Sequence, residues 1–141
     1  MVENYQRIFQ FLWKIKRIEQ ILKDIWVIHQ KDYPKTYQNK KLKQFARLLH
    51  RCHIIRASMS HFINTFYGYL MIAIESAWNK FSLSLEKSSS LDEIIKQHRA
   101  LHVELAGITF SSLNKKNLRD SLLNVFKSIE QFRTLEIKVL N

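Results

Sequence analysis

YQRIFQFLWKIKRIEQIL, Tyr5 to Leu22, places two demands on one short segment. Tyr5, Ile8, Leu12, Ile15, Ile18 and Leu22 recur at steps of three and four and are continued by Ile25, the period of an α-helix with one apolar face. Arg7, Gln10, Lys14, Arg17 and Asp24 take the opposite side. Phe9, Phe11, Trp13 and Ile21, with Trp26 and Ile28 beyond, widen the apolar surface past a single stripe. A helix apolar on more than one side is normally covered on more than one side. The segment therefore reads as a basic helix, from about Glu3 to His29, set inside a larger helical arrangement.

The rest of the chain agrees with that reading. Its 141 residues suffice for one domain with a real core, and 46% of them are apolar, so disorder as a whole-chain state is excluded. Only Gly68, Gly107 and Pro34 supply strong turn residues, too few for a sheet protein of this length. A polar stretch, KDYPKTYQNKK at 31–41, predicts a linker, because Pro34 cannot donate a helical hydrogen bond and restricts Tyr33 before it. A second helix follows, about Lys41 to Phe81, with a seam of Leu42, Phe45, Leu49, Cys52, Ile55, Met59, Phe62, Phe66, Leu70, Ala73 and Ala77. Gly68 in its middle predicts a close helix crossing or a bend. Ser90 followed by Glu93 forms a capping-box signature after the break at 84–93, opening a third helix through Leu91, Ile94, Ile95, His98, Leu101, Leu105 and Ile108. A fourth, from about Lys116 to Lys138, carries Leu118, Leu122, Val125, Phe126, Ile129 and Phe132. The expected fold is all-α, an elongated bundle of about four long helices, with residues 1–141 as a single helical domain.

Net charge is +11, and +9 of it falls within residues 1–56. Such a field attracts an acidic protein, nucleic acid or an anionic membrane without choosing among them. Lys40, Lys43, Arg47 and Arg51 step by three and four along helix two and form the candidate docking stripe. The bland alternative is a solvated face. DNA readout needs polar groups that reach base edges, and Asn39 and Gln44 are scant material for that. The charge-free stretch at residues 58–74 is interrupted by polar residues and is shorter than the roughly 20 apolar residues of a membrane span.

Catalytic and metal chemistry find little support. His50 and His53 flank Cys52, and His98 and His102 lie four apart, but neither pair has the further ligands at helical spacing that a metal centre requires. Cys52 reads as a small packed residue and His98 as a hydrogen-bonded core histidine. Two isolated glycines cannot build a phosphate loop. Trp13, Trp26 and Trp78 each lie in dense apolar sequence and read as core anchors; an exposed one would point instead to a protein interface. No cofactor and no enzymatic activity are expected.

The order of segments carries a resemblance that no single motif does. YQRIFQFLWKIKRIEQILKDIW is followed by the basic linker, then HRCHIIRASMSHFINTFYGYLMIAIESAWNKF, SSSLDEIIKQHRALHVEL and LLNVFKSIEQF. Over about residues 4–133 this resembles the C-terminal domain of the gamma-tubulin complex component family, the Spc97/Spc98 type. FLWKIKRIE and HRCHIIRASMSHFI are most similar to its third component. The LAGITFSSLNKK segment, 105–116, departs from the more apolar connection of that family. The resemblance implies a non-catalytic structural adaptor that binds gamma-tubulin and, with other complex components, assembles a template for microtubule nucleation at spindle poles or other organising centres in the cytoplasm. It also implies a longer N-terminal half, so the chain is expected to be a fragment that lacks the upstream part. The alternative from charge alone is a basic helical nucleic-acid-binding domain; a peripheral membrane module resting on the apolar face of helix one is a third reading.

Overall fold

The computed structural model describes residues 2–37 and 43–140, with side chains of residues 3–31 and 45–138. It is an all-α bundle: α1 Val2–Tyr37, α2 Lys43–Glu86, α3 Leu91–Ile108, a 3₁₀ turn Leu113–Lys115, and α4 Lys116–Leu140. The helices pack as two compact units, Met1–Lys14 with Phe66–Leu123 and Ile15–Thr65 with Asn124–Asn141.

The buried positions follow a repeat of seven. On α1 they are Ile8, Phe11, Ile15, Ile18, Leu22, Ile25 and His29, alternating steps of three and four without a break, with Ile21 buried beside them off the repeat. On α4 they are Leu122, Phe126, Ile129 and Glu136, with half-buried Arg133 in phase. On α2, Leu49, Ile63, Leu70 and Ala77 lie seven or fourteen apart, and Ala46 and the half-buried Arg56, His53, Ser60, Tyr67 and Ile74 complete the same two rows. A spacing of 3.5 residues keeps one seam turned toward neighbouring helices over many turns.

That seam corrects the sequence reading of α2. Ile55 and Phe62, placed in the core by their hydrophobicity, are 46% and 42% exposed, whereas Ile63 is fully buried. Polar residues at 53, 56 and 60 hide the true phase, while apolar residues at 54, 55 and 62 mimic another. On α1, Phe11 and Ile21 are buried but Phe9 and Trp13 are exposed. The tryptophans are not core anchors either: Trp13 is 54%, Trp26 37% and Trp78 53% exposed.

The breaks follow local chemistry. The expected linker at 31–41 is helical as far as Tyr37, so Pro34 lies inside α1. Proline's φ already suits a helix, and one lost hydrogen bond near the end of a 36-residue helix is tolerated. The remainder of that linker, and Leu42 of the expected α2 seam, fall outside the described residues. Ser90 caps α3 as expected: the Glu93 amide donates to its Oγ at 3.3 Å. The return bond shifts by one residue, with the Ser89 amide donating to Glu93 Oε2 at 2.8 Å. Gly68 marks no close crossing, because a Cβ built there meets nothing within 4 Å.

In the first unit, Ile8, Ala77, Leu101 and Leu105 form a core with Leu12, Ile74, Phe81 and Ile108 packed around it. The end of α3 is a Schellman turn: the Ser111 amide donates to Ala106 O at 2.8 Å and the Phe110 amide to Gly107 O at 3.4 Å. Its left-handed position, usually glycine, is Phe110 at φ 56°. The ring explains the exception, stacking on Phe66 at 6.2 Å and meeting Phe11 edge-on at 6.2 Å. Aromatic contacts of this kind contribute about 0.5–1.5 kcal/mol each beyond area burial, enough to offset a left-handed cost of about 1–2 kcal/mol.

The second unit joins α1, α2 and α4 through a buried polar layer. His29 Nε2 donates to Glu136 Oε2 at 2.7 Å, both side chains being about 95% buried. The Trp26 ring packs on His53 at 5.1 Å, and the Arg56 guanidinium sits 4.7 Å over the same indole.

The seam makes neighbouring residues on α2 unequal. Ile63→Ala should cost about 2–5 kcal/mol in urea unfolding, as core truncations do. Ile55→Ala, one step outside the seam, should cost less than about 1 kcal/mol. Equal costs would contradict this phase.

Candidate protein-docking surface

The sequence placed the candidate stripe at Lys40, Lys43, Arg47 and Arg51. Lys40 lies outside the described residues, and Lys43 is the first residue of α2 with its side chain outside them. Arg47 and Arg51 are brought together, one helical turn apart on α2 and both exposed. Neither forms an ion pair among the described residues.

Their surroundings are more informative than their charge. Residues 33–74 contain no Asp or Glu, so the first thirty residues of α2 have no carboxylate of their own to neutralise the arginines. Between and beside the arginines stand Leu48, 49% exposed, and Ile54, 51% exposed, followed by Ile55 and Phe62. Leu48, Ile55 and Phe62 are seven apart, the interval of the buried seam, but one residue out of phase with it. One residue on a helix is a rotation of about 100°, so they form a separate outer row. Sequence reasoning named the basic residues of this surface, assigned Ile55 and Phe62 to the core and passed over Leu48 and Ile54. The usable signal was the fixed interval of seven combined with the absence of carboxylates.

A smaller exposed feature lies on α1, where Phe9, Gln10, Trp13 and Lys14 line a shallow hollow of about 360 Å³. An exposed aromatic pair beside a lysine has the composition of an interface anchor.

The titratable residues that first suggested chemistry are absorbed by packing. Burial, then the neighbouring Glu136 carboxylate, pushes the Cys52 thiol up to about 11, so it remains a protonated, unreactive thiol. Cys52 thus faces a carboxylate rather than packing as a purely apolar residue. Burial alone would raise Glu136, but the hydrogen bonds from His29 and Cys52 and the charge of His29 hold its carboxyl below the ordinary value. Burial, with Arg56 and nearby histidines, lowers His53, and burial with His98 lowers His102. His98 is hydrogen-bonded as expected, its Nε2 lying 3.0 Å from the Tyr5 hydroxyl. The buried His102 ring packs edge-on against Tyr5 and His98. Among the described residues no group of three or more His, Cys, Asp or Glu is placed to hold a metal, and no helix is long and apolar enough to cross a membrane.

These shifts have a defined pH consequence. His53 and His102 have folded values depressed below the ordinary imidazole value of 6.5, so their contribution is complete above that pH and is lost as pH falls through the folded values. Glu136 is depressed below 4.5, so its contribution is complete above 4.5 and is lost at lower pH. The urea midpoint should therefore be flat between pH 6.5 and 9, decline below 6.5 with a further loss below 4.5, and decline above 9, where the raised Cys52 thiol ionises first in the unfolded chain. Glu136→Ala, which leaves the buried His29 Nε2 without its acceptor, should cost about 1–3 kcal/mol at pH 7. It should also reduce the loss below 4.5 to the part carried by Glu19 and Glu93, whose carboxyls are likewise held below the ordinary value. A midpoint that rises on acidification below pH 6.5 would contradict the assignment.

The gamma tubulin complex component C-terminal family pattern matches residues 1–140. The chain is 30% identical over 141 residues to gamma-tubulin complex component 3 of Arabidopsis thaliana, a match covering 95% of this chain and 17% of that protein. Against gamma-tubulin complex component 3 of Homo sapiens it is 29% identical over 136 residues, covering 96% and 15% respectively. Against spindle pole body component 98 of Dictyostelium discoideum it is 27% identical over 140 residues, covering 98% and 17%. The chain thus spans only 15–17% of the length of these relatives.

Proposed function

The chain belongs to the gamma-tubulin complex component C-terminal family, and from that premise we propose that it is a non-catalytic binding domain for gamma-tubulin. It works within a gamma-tubulin complex, alongside other components, in microtubule nucleation at a spindle pole or similar organising centre of the cytoplasmic cytoskeleton. The observation that carries this reading is the family pattern, which covers essentially the whole chain. The relatives bear the names of gamma-tubulin complex and spindle pole body components.

The physical character of the molecule supports a binding role. A net charge of +11, concentrated in the first 56 residues, steers an acidic protein surface toward the chain. Arg47 and Arg51 on α2, with Lys43 at its start and Lys40 earlier in the sequence, supply a local positive charge. The nucleophile Cys52 is held protonated, and His29, His53, His98 and His102 pack against aromatic rings or a carboxylate rather than around an open site. Such a domain contributes position and affinity, while nucleotide chemistry belongs to its partner.

The test is co-elution of the purified chain with purified gamma-tubulin in size-exclusion chromatography, with αβ-tubulin dimer and a short DNA duplex as controls. Selective co-elution with gamma-tubulin is expected. Reversal of Lys40, Lys43, Arg47 and Arg51 to Glu should weaken binding by about tenfold or more at low salt and by less at high salt, where charges are screened. A folded monomer that ignores gamma-tubulin, or binds the duplex with a steep salt slope instead, would overturn the reading. Unchanged affinity in the reversed variant would reduce the stripe to a solvated face.

A further inference from the structure

The outer row of α2 carries more information than its charge. Leu48, Ile54 and Ile55 are each close to half exposed, although aliphatic side chains of this size gain about 1.5–3 kcal/mol on full burial. They are not scattered. Leu48, Ile55 and Phe62 recur at intervals of seven, with Ile54 beside the row and Arg47, Arg51 and His61 along its margins. A surface that merely faces water has no reason to keep its apolar residues in register. A spacing of 3.5 residues keeps a row aligned with one object along its length, and the object with the same geometry is another α-helix.

We propose that the face of α2 from Arg47 to Phe62 seats an amphipathic α-helix of the protein partner, with carboxylates beside its apolar stripe. The proposal rests on the gamma-tubulin-binding reading and identifies the element of the partner that docks. The partner helix lays its apolar residues on Leu48, Ile54 and Ile55 and sets its carboxylates against Arg47 and Arg51. Leu48 to Phe62 spans fourteen residues, about 21 Å of helix, which matches a partner segment of about four turns.

Three other occupants fit less well. An extended strand repeats its side chains every two residues, about 6.6 Å, and does not match anchors separated by seven residues of helix, about 10.5 Å. Nucleic acid gains affinity from phosphate contacts, and here half-exposed Leu48 and Ile54 stand between and beside the arginines. A second copy of this chain would bring arginine toward arginine, with no carboxylate between residues 33 and 74 to separate them. The missing carboxylates are what the partner must supply.

The experiment compares the wild-type chain with a Leu48→Lys/Ile55→Lys variant and an Arg47→Glu/Arg51→Glu variant. Each is checked for native helical content by circular dichroism, then titrated with purified gamma-tubulin and with a 20-base-pair DNA duplex. Both positions lie outside the buried seam, so the lysines should leave the fold intact. They add positive charge, so a surface that works by charge alone binds acidic partners more tightly after the change. An apolar seat for a helix loses affinity despite it. The lysine variant should bind gamma-tubulin about tenfold or more weakly than wild type, and the glutamate variant should lose affinity as well. Hydrogen exchange should show protection of a carboxylate-rich helix of gamma-tubulin in the wild-type complex alone. Wild-type binding with the lysine variant equal or tighter would overturn the helix seat while leaving gamma-tubulin binding in place. Failure of the folded wild-type chain to bind gamma-tubulin would overturn both. Should the lysine variant prove unfolded, the Arg47→Glu/Arg51→Glu variant and the exchange pattern decide, with protection confined to other faces counting against the seat.

Discussion

A seam of buried side chains repeated every seven residues organises this molecule. Ile8, Ile15, Leu22 and His29 form one of its rows on α1; Leu122, Ile129 and Glu136 form one on α4; Leu49, Ile63, Leu70 and Ala77 follow the same interval on α2. Because the interval is 3.5 residues per turn, the seam stays on one side of each helix, leaving the other sides to be shaped by function. The buried polar layer of His29 and Glu136, with Cys52 beside the carboxylate, occupies positions in or next to that seam. A buried polar pair of this kind is weak support for stability, because desolvating both groups offsets most of their attraction. Its better-attested use is to fix register: sliding α1 or α4 by one turn would strand an imidazole or a carboxylate in apolar surroundings.

Much of this was legible in the sequence. The periodicity of α1 from Tyr5 onward, the cap at Ser90 and the start of α4 at Lys116 follow from side-chain chemistry that acts locally. The phase of α2 was not legible, because hydrophobicity and burial part company there. His53 and Arg56 are half-buried beside Trp26, while Leu48, Ile54 and Ile55 face outward. A reading that equates apolar with inside finds Leu49, Leu70 and Ala77 but takes Ile55 and Phe62 for seam positions in place of Arg56 and Ile63. Pro34 misled for a related reason: it forbids one hydrogen bond but not helical dihedral angles. Phe110 shows tertiary packing overriding local preference, since two aromatic neighbours hold a non-glycine residue at φ 56°.

The candidate surface was half legible. Positive charge can be counted, so Arg47 and Arg51 stood out at once. Their apolar companions were concealed by the same confusion of phase. Put together, the two halves describe a helix with two jobs. Its inner row holds the bundle, and its outer row, framed by arginines and free of carboxylates, is proposed to hold a partner. This division also resolves the mixture in YQRIFQFLWKIKRIEQIL: Ile8, Phe11, Ile15 and Ile18 turn inward, while Phe9, Trp13 and the basic residues face out.

The central claim is that these two rows on α2 are separate, and an alanine scan from Phe45 to Phe66 tests it most directly. Each variant is measured twice, for thermal midpoint and for affinity toward gamma-tubulin. Two profiles with the same interval of seven but different phase are expected. Stability should dip at Leu49 and Ile63, and affinity at Arg47, Leu48, Arg51 and Ile55. If affinity falls only in the variants that lose stability, α2 has one functional row, and the second is ordinary surface.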